Sequence, residues 1–86
     1  MNTQKETYTL AELRSALRKA GAKIRTMRYS EFIGTKITDS EGNELQGAIF
    51  RSSEDVKAWR KKNAAALEVM EKFKGKTYDG MMRVII

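Results

Sequence analysis

Eighty-six residues carry 17 Lys and Arg against 11 Asp and Glu, for a formal charge of +6 at pH 7 and a pI near 9.8. That balance points to anionic partners: nucleic acid, an acidic protein surface or an anionic membrane. A chain this short supports one core, so residues 1–86 read as a single domain, and with no Cys and no His it lacks a disulfide staple, the usual transition-metal ligands, the neutral-pH base and the thiol nucleophile.

Residues 1–8 are polar and expected to fray. Thr9-Leu10-Ala11-Glu12 reads as a capping box with Thr9 as N-cap. Leu10, Leu13, Ala16, Leu17 and Ala20 follow at helical spacing, with Arg14, Arg18 and Lys19 off that stripe. Gly21 suits a left-handed cap, so the pattern predicts a helix over 10–20. Over 23–29 the period changes to two: Ile24, Thr26 and Arg28 alternate with Lys23, Arg25, Met27 and Tyr29, which predicts a strand. Ser30 and Glu31 form a short turn, and a second strand over 32–38 puts Ile33, Thr35 and Ile37 on one face. Asp39-Ser40-Glu41-Gly42-Asn43 is a turn, with Gly42 placed for positive φ. Residues 44–50, with Leu45 and Ile49 flanking Gly47, predict a third strand that completes an antiparallel meander.

One long amphipathic helix is expected over 52–73. Ser52 and Asp55 stand three apart as a cap, and Glu54 and Asp55 put negative charge in the first turn. Val56, Trp59, Asn63, Ala66, Leu67, Met70 and Phe73 share a face, with Trp59 the largest apolar member, and Gly75 lies just past the end. Asp79-Gly80 is a turn signal, and the apolar run over 81–86 predicts a last strand, buried on both faces or at an oligomer contact such as a homodimer. The order α-β-β-β-α-β makes an α+β fold, an antiparallel sheet with both helices packed on one face.

No run approaches the ~18 apolar residues of a membrane span. The first seven residues lack the apolar stretch of a signal peptide. A membrane partner is therefore not expected, and the expected compartment is the cytoplasm, which the lack of Cys also suits. The Ser residues sit at caps and turns, Gly42 and Gly47 form no phosphate loop, and the carboxylate pairs Glu54/Asp55 and Glu41/Glu44 are a helix start and a turn. No enzyme and no cofactor is expected.

The cations say more. If Ile24, Ile33, Ile37, Leu45 and Ile49 face the helices, the other sheet face carries Lys23, Arg25, Met27, Tyr29, Phe32, Lys36, Gln46 and Phe50, with Arg83 joining from either side. Cations interleaved with flat rings neutralise phosphates and stack on bases; the same rings also suit a second small core or a dimer surface. Lys57, Arg60 and Lys61 share a face of the long helix, either as a phosphate-facing ridge or as an ordinary solvated face.

The layout of residues 23–73, three strands then a helix, resembles integrase amino-terminal and plant ethylene-response DNA-binding domains. The run Gly47-Ala48-Ile49-Phe50-Arg51-Ser52-Ser53-Glu54-Asp55 is similar to their strand-to-helix junction. That resemblance implies a sheet set into the major groove, although the first helix and last strand depart from it. Helix, three strands, helix is also similar to double-stranded-RNA-binding domains, with Lys61-Lys62-Asn63-Ala64-Ala65-Ala66 resembling their second helix. Their minor-groove loop has no counterpart here, and neither resemblance transfers individual residues. The expected function is a non-catalytic module that binds nucleic acid or a nucleoprotein complex through Lys23, Arg25, Tyr29, Phe32, Lys36, Lys57, Arg60 and Lys61. The alternative is a small phage-type inhibitor, anti-CRISPR-like or directed at another host protein, that docks by a sheet edge or an aromatic patch.

Overall fold

The computed structural model describes residues 7–46 and 52–86. In chain order these form β1 (Tyr8–Thr9), α1 (Leu10–Lys19), β2 (Lys23–Arg28), β3 (Phe32–Thr38), α2 (Ser53–Lys62), α3 (Ala64–Phe73), β4 (Thr77–Asp79) and β5 (Met82–Ile85). The strands run β1-β4-β5-β3-β2 across one sheet. The fold is α+β, but the sheet is mixed where an antiparallel one is expected. β2/β3 and β4/β5 are antiparallel hairpins, whereas β1/β4 and β3/β5 pair in parallel.

The ends of α1 follow its sequence signals. Thr9 Oγ1 accepts the Glu12 N–H at 3.1 Å, Gly21 adopts φ +84°, and the Ala22 N–H donates to the Leu17 carbonyl at 2.8 Å. The stripe of α1 is buried at Leu10, Leu13 and Leu17, in one cluster with Ile33, Ile37, Leu45, Ala66, Phe73 and Val84. Register explains which strand residues join it. Ile24 opposes Ile37, Thr26 opposes Thr35, Arg28 opposes Ile33, and Ile33 lies beside Val84. Side chains alternate along a strand, so these face the helices, while Lys23, Arg25, Met27, Phe32, Gly34, Lys36, Arg83 and Ile85 face away. Burial agrees: Ile33, Ile37 and Val84 are fully buried, and Arg25, Met27, Lys36, Arg83 and Ile85 are exposed.

After β3, residues 44–46 make no regular strand among the described residues. Among the described residues a single bridge joins Glu44 to Thr38. The Leu45 N–H donates to the Ile37 carbonyl at 2.9 Å, and the Ile37 N–H donates to Gln46 Oε1 at 3.3 Å, so a side chain stands in for a ladder carbonyl. β5 takes residues 32–34 on that edge of β3, which leaves the segment from Glu44 only the far end of the edge, beside Ile37 and Thr38. The rest of the expected strand, with Gly47, Ile49 and Phe50, lies outside the described residues. So does most of the segment expected to fray, but its end is ordered into β1. There the Tyr8 N–H donates to the Lys76 carbonyl at 2.8 Å, and the Tyr8 ring sits 4.2 Å from that of Phe73.

The expected long helix is two helices. Ser52 Oγ caps α2 by accepting the Asp55 N–H at 3.2 Å, and Gly75 follows α3 with φ +72°, so both expected ends hold. Between them stands Asn63, at φ −107°. Its Nδ2 donates to the Trp59 carbonyl at 3.1 Å beside its own N–H at 2.9 Å, a local bond that competes with helix regularity. No residue of α2 is buried, and Trp59 only packs partly against the core. The largest fully buried side chains are instead Leu13, Leu17, Ile33, Ile37, Val84 and Thr77.

The expected last strand forms as β5, after the expected turn at Gly80 (φ +62°), and that turn joins it in a hairpin to the short β4. Met81 at its tip is fully exposed, Val84 is buried and Ile85 is half exposed, so the apolar run is not buried on both faces. It is interior in the other direction, with β4 on one side and β3 on the other.

Asp39 fastens the turn over 39–43. It is 3% exposed; its Oδ1 accepts the N–H groups of Glu41 and Asn43, both at 2.9 Å, and its Oδ2 accepts Asn43 Nδ2 at 3.2 Å. Burial raises its pKa, but the bonds from Asn43 and Glu41 and the charge of Lys62 outweigh burial, and the carboxyl sits below its ordinary value. A carboxylate depressed on folding stabilises above its unfolded pKa, and that contribution is lost as pH falls through the folded pKa. Asp39→Asn should therefore lower the urea midpoint at neutral pH and flatten the loss of stability seen below about pH 4. A midpoint that tracks wild type throughout an acid titration would show that the turn does not need the carboxylate. Lys62 Nζ reaches Glu41 Oε1 at 2.9 Å and ties the end of α2 to this turn. That bond raises the Lys62 pKa, but both side chains are more than half exposed and the pair contributes little.

Candidate functional site

The sheet face turned away from the helices carries the candidate site. Arg25 stands directly opposite Lys36, with Lys23 one alternate position along, so cations occupy one end of the β2/β3 hairpin. At the other end Phe32 lies beside Arg83, and Arg83 lies opposite Tyr78, which sets one cationic residue between two aromatic ones in register. Tyr29, at the hairpin turn, folds back over the face. Its ring stacks on Phe32 with centroids 4.6 Å apart and planes 21° off parallel. Gly34 makes room for it, since a Cβ there would stand 3.1 Å from Tyr29 Cε2. Part of each ring is thus taken by the other, yet Tyr29 remains 47% exposed.

The charges divide into paired and unpaired. Lys36 Nζ meets Glu44 Oε1 at 2.8 Å and Arg28 Nη2 meets Asp79 Oδ2 at 2.6 Å, both with substantial solvent exposure. Among the described residues no ion pair engages Lys23, Arg25 or Arg83. The structure therefore brings together five of the sequence-predicted residues, Lys23, Arg25, Tyr29, Phe32 and Lys36. Lys57, Arg60 and Lys61 stand exposed on α2 and form a separate basic patch.

Two basic features go beyond the sequence reading, which leaves Arg83 open to either face and gives Arg14 and Arg18 no role. Arg83 joins the open face by the parity of β5, and it lines a recess of about 290 Å³ together with Lys74, Gly75 and Ile86. A larger groove of about 520 Å³ lies where α1 meets the start of β2, lined by Arg14, Arg18, Gly21, Ala22, Lys23 and Ile24. Its signal was present in the helical phase. Leu13 and Leu17 point to the sheet, and Ala16 and Ala20 line a groove shared with α3. Arg14 and Arg18 are thus left on the opposite flank, about 100° from the leucines.

Among the described residues no group of three or more Asp or Glu side chains could hold a metal ion. No helix among them is long and apolar enough to cross a membrane. No protein-family model matches the chain, and comparisons with curated proteins and with solved structures find no match.

Proposed function

We propose that this chain is a small non-catalytic binding protein of the cytoplasm that engages nucleic acid, free or within a nucleoprotein complex, through the open sheet face. One observation carries the reading. Lys23, Arg25 and Arg83, cations without an ion pair among the described residues, share an exposed face with the stacked Tyr29 and Phe32 rings. Cations draw the phosphate backbone, and rings accept unpaired bases. A shallow face with its rings at one end suits a single strand better than a duplex, whose bases are already stacked. Lys36 joins by exchanging Glu44 for a phosphate, since exposed ion pairs are weak.

The test is a titration of labelled single-stranded DNA, single-stranded RNA and duplex at two salt concentrations. Single-strand affinity should fall with salt at about 0.7 log units per log unit for each phosphate neutralised. Tyr29→Leu or Phe32→Leu should weaken binding by about 1–3 kcal/mol with the salt slope unchanged. Absence of binding to all three at low salt rejects the proposal.

A second reading draws on the apolar residues exposed beside the site: Met27 at 48%, Ile85 at 51% and Met81 at 100%. Exposed apolar surface next to charge favours a protein partner, and with it a small inhibitor of the phage type. That reading expects negligible binding to free DNA or RNA at physiological salt and a stable complex with a defined protein assembly.

A further inference from the structure

β2 is an edge strand among the described residues. The Tyr29 N–H donates to the Phe32 carbonyl at 2.9 Å. Bonded pairs alternate along an antiparallel ladder, so the bonded pairs that follow are 27/34, 25/36 and 23/38. The backbone N–H and C=O groups of Ile24, Thr26 and Arg28 consequently point out of the sheet. An edge of this kind is blunted well enough by one or two charges. Here Lys23 and Arg25 already serve, yet α1 adds Arg14 and Arg18 along the same flank, in the groove that includes Lys23 and Ile24. No ion pair engages any of these four cations among the described residues.

We propose that the β2 edge takes up an extended acidic peptide as an added strand, with carboxylates at alternate positions held by Arg14 and Arg18. The spacings agree. Positions i and i+2 of a strand repeat every ~6.7 Å on one face, and positions i and i+4 of a helix lie ~6 Å apart along its axis. The outward amides of Ile24, Thr26 and Arg28 supply the ladder, and Lys23 and Arg25 border the other face of the added strand. A second copy of the chain fits poorly, because its β2 carries Lys23, Arg25 and Arg28 and no Asp or Glu, and so brings no carboxylate to these cations. The site stands apart from the nucleic-acid reading, with which it shares only Lys23 and Arg25.

The test titrates the isotope-labelled full chain with acetyl-Thr-Glu-Thr-Glu-Thr-Glu-Thr-amide and follows the backbone amides. Binding should shift the amides of Ile24, Thr26 and Arg28 and slow their hydrogen exchange. A Gln-for-Glu peptide, a peptide N-methylated at alternate amides, and the Arg14→Glu/Arg18→Glu protein should each bind about tenfold weaker or worse. Thr26→Pro removes only an outward N–H, which edge strands tolerate, and should abolish binding; if that variant unfolds, the N-methylated peptide puts the same question to the wild-type chain. The proposal is overturned if no peptide binds at low salt, if N-methylation costs nothing, or if the shifts fall only on Tyr29, Phe32 and Arg83. It is equally overturned if the edge amides become protected with protein concentration alone, which makes a second copy the occupant. An oligo-dT strand that shifts the edge amides and displaces the peptide would assign the edge to nucleic acid instead.

Discussion

Val84→Asp should unfold the protein. Val84 has no exposed surface, lies beside Ile33 and packs in the cluster that holds Leu13, Leu17 and Ile37. Its strand, β5, is flanked by β4 and β3, so it couples the β1/β4 and β3/β2 parts of the sheet. A carboxylate placed there costs several kcal/mol in desolvation, and the lost valine burial adds about 1.5–3 kcal/mol. A domain of this length has only about 4–13 kcal/mol in total. Far-UV circular dichroism and urea titration read the outcome. Ile85→Asp is the control, one residue along on the open face and half exposed, and should leave the fold intact. Cooperative melting of Val84→Asp near the wild-type temperature would mean that β5 is not the central strand.

The second large effect is on binding. Reversing Arg25, Lys36 and Arg83 together to Glu should lower single-strand affinity at low salt by more than about a hundredfold, on the order of 3 kcal/mol. The salt slope should drop by about 2 as three phosphate contacts disappear. These substitutions also cancel the formal charge of +6, so net charge must be separated from site. Reversing Lys57, Arg60 and Lys61 on α2 changes the total equally and should cost far less. Equal losses from the two triple variants would mean that the chain attracts nucleic acid by overall charge alone, without a defined face.

Where the sequence was legible, the signals were local. Thr9 and Gly21 bound α1, period two marks β2 and β3, and the 39–43 turn declares itself through Asp39 and Gly42. The alternation of Lys23, Arg25 and Lys36 with Ile24 and Ile37 also placed the cations correctly on the open face. What stayed hidden depends on distant partners or very short elements. β1 has two residues and β4 three, too few to show a period. The pairing of β5 with residues 32–34 joins segments remote in sequence. Asn63 was visible as a polar residue within an apolar stripe, yet its bond to the Trp59 carbonyl, at the break between the helices, is a matter of rotamer. Arg83 was assigned to neither face because the parity of β5 depends on the turn at Gly80.

The position of β5 also governs the order of events as the chain folds. β2 and β3 are joined by a tight turn and can pair within microseconds. Thr35 and Ile85, which are hydrogen-bonded across β3 and β5, are 50 residues apart, and non-local closures of that kind slow folding. During synthesis, therefore, the hairpin emerges early with its inner edge at residues 32–34 open. It stays open until residues 82–85 have been made and have found it. Over that interval the nascent chain offers strand edges to any neighbour, and a chaperone acting on this protein would find its substrate there.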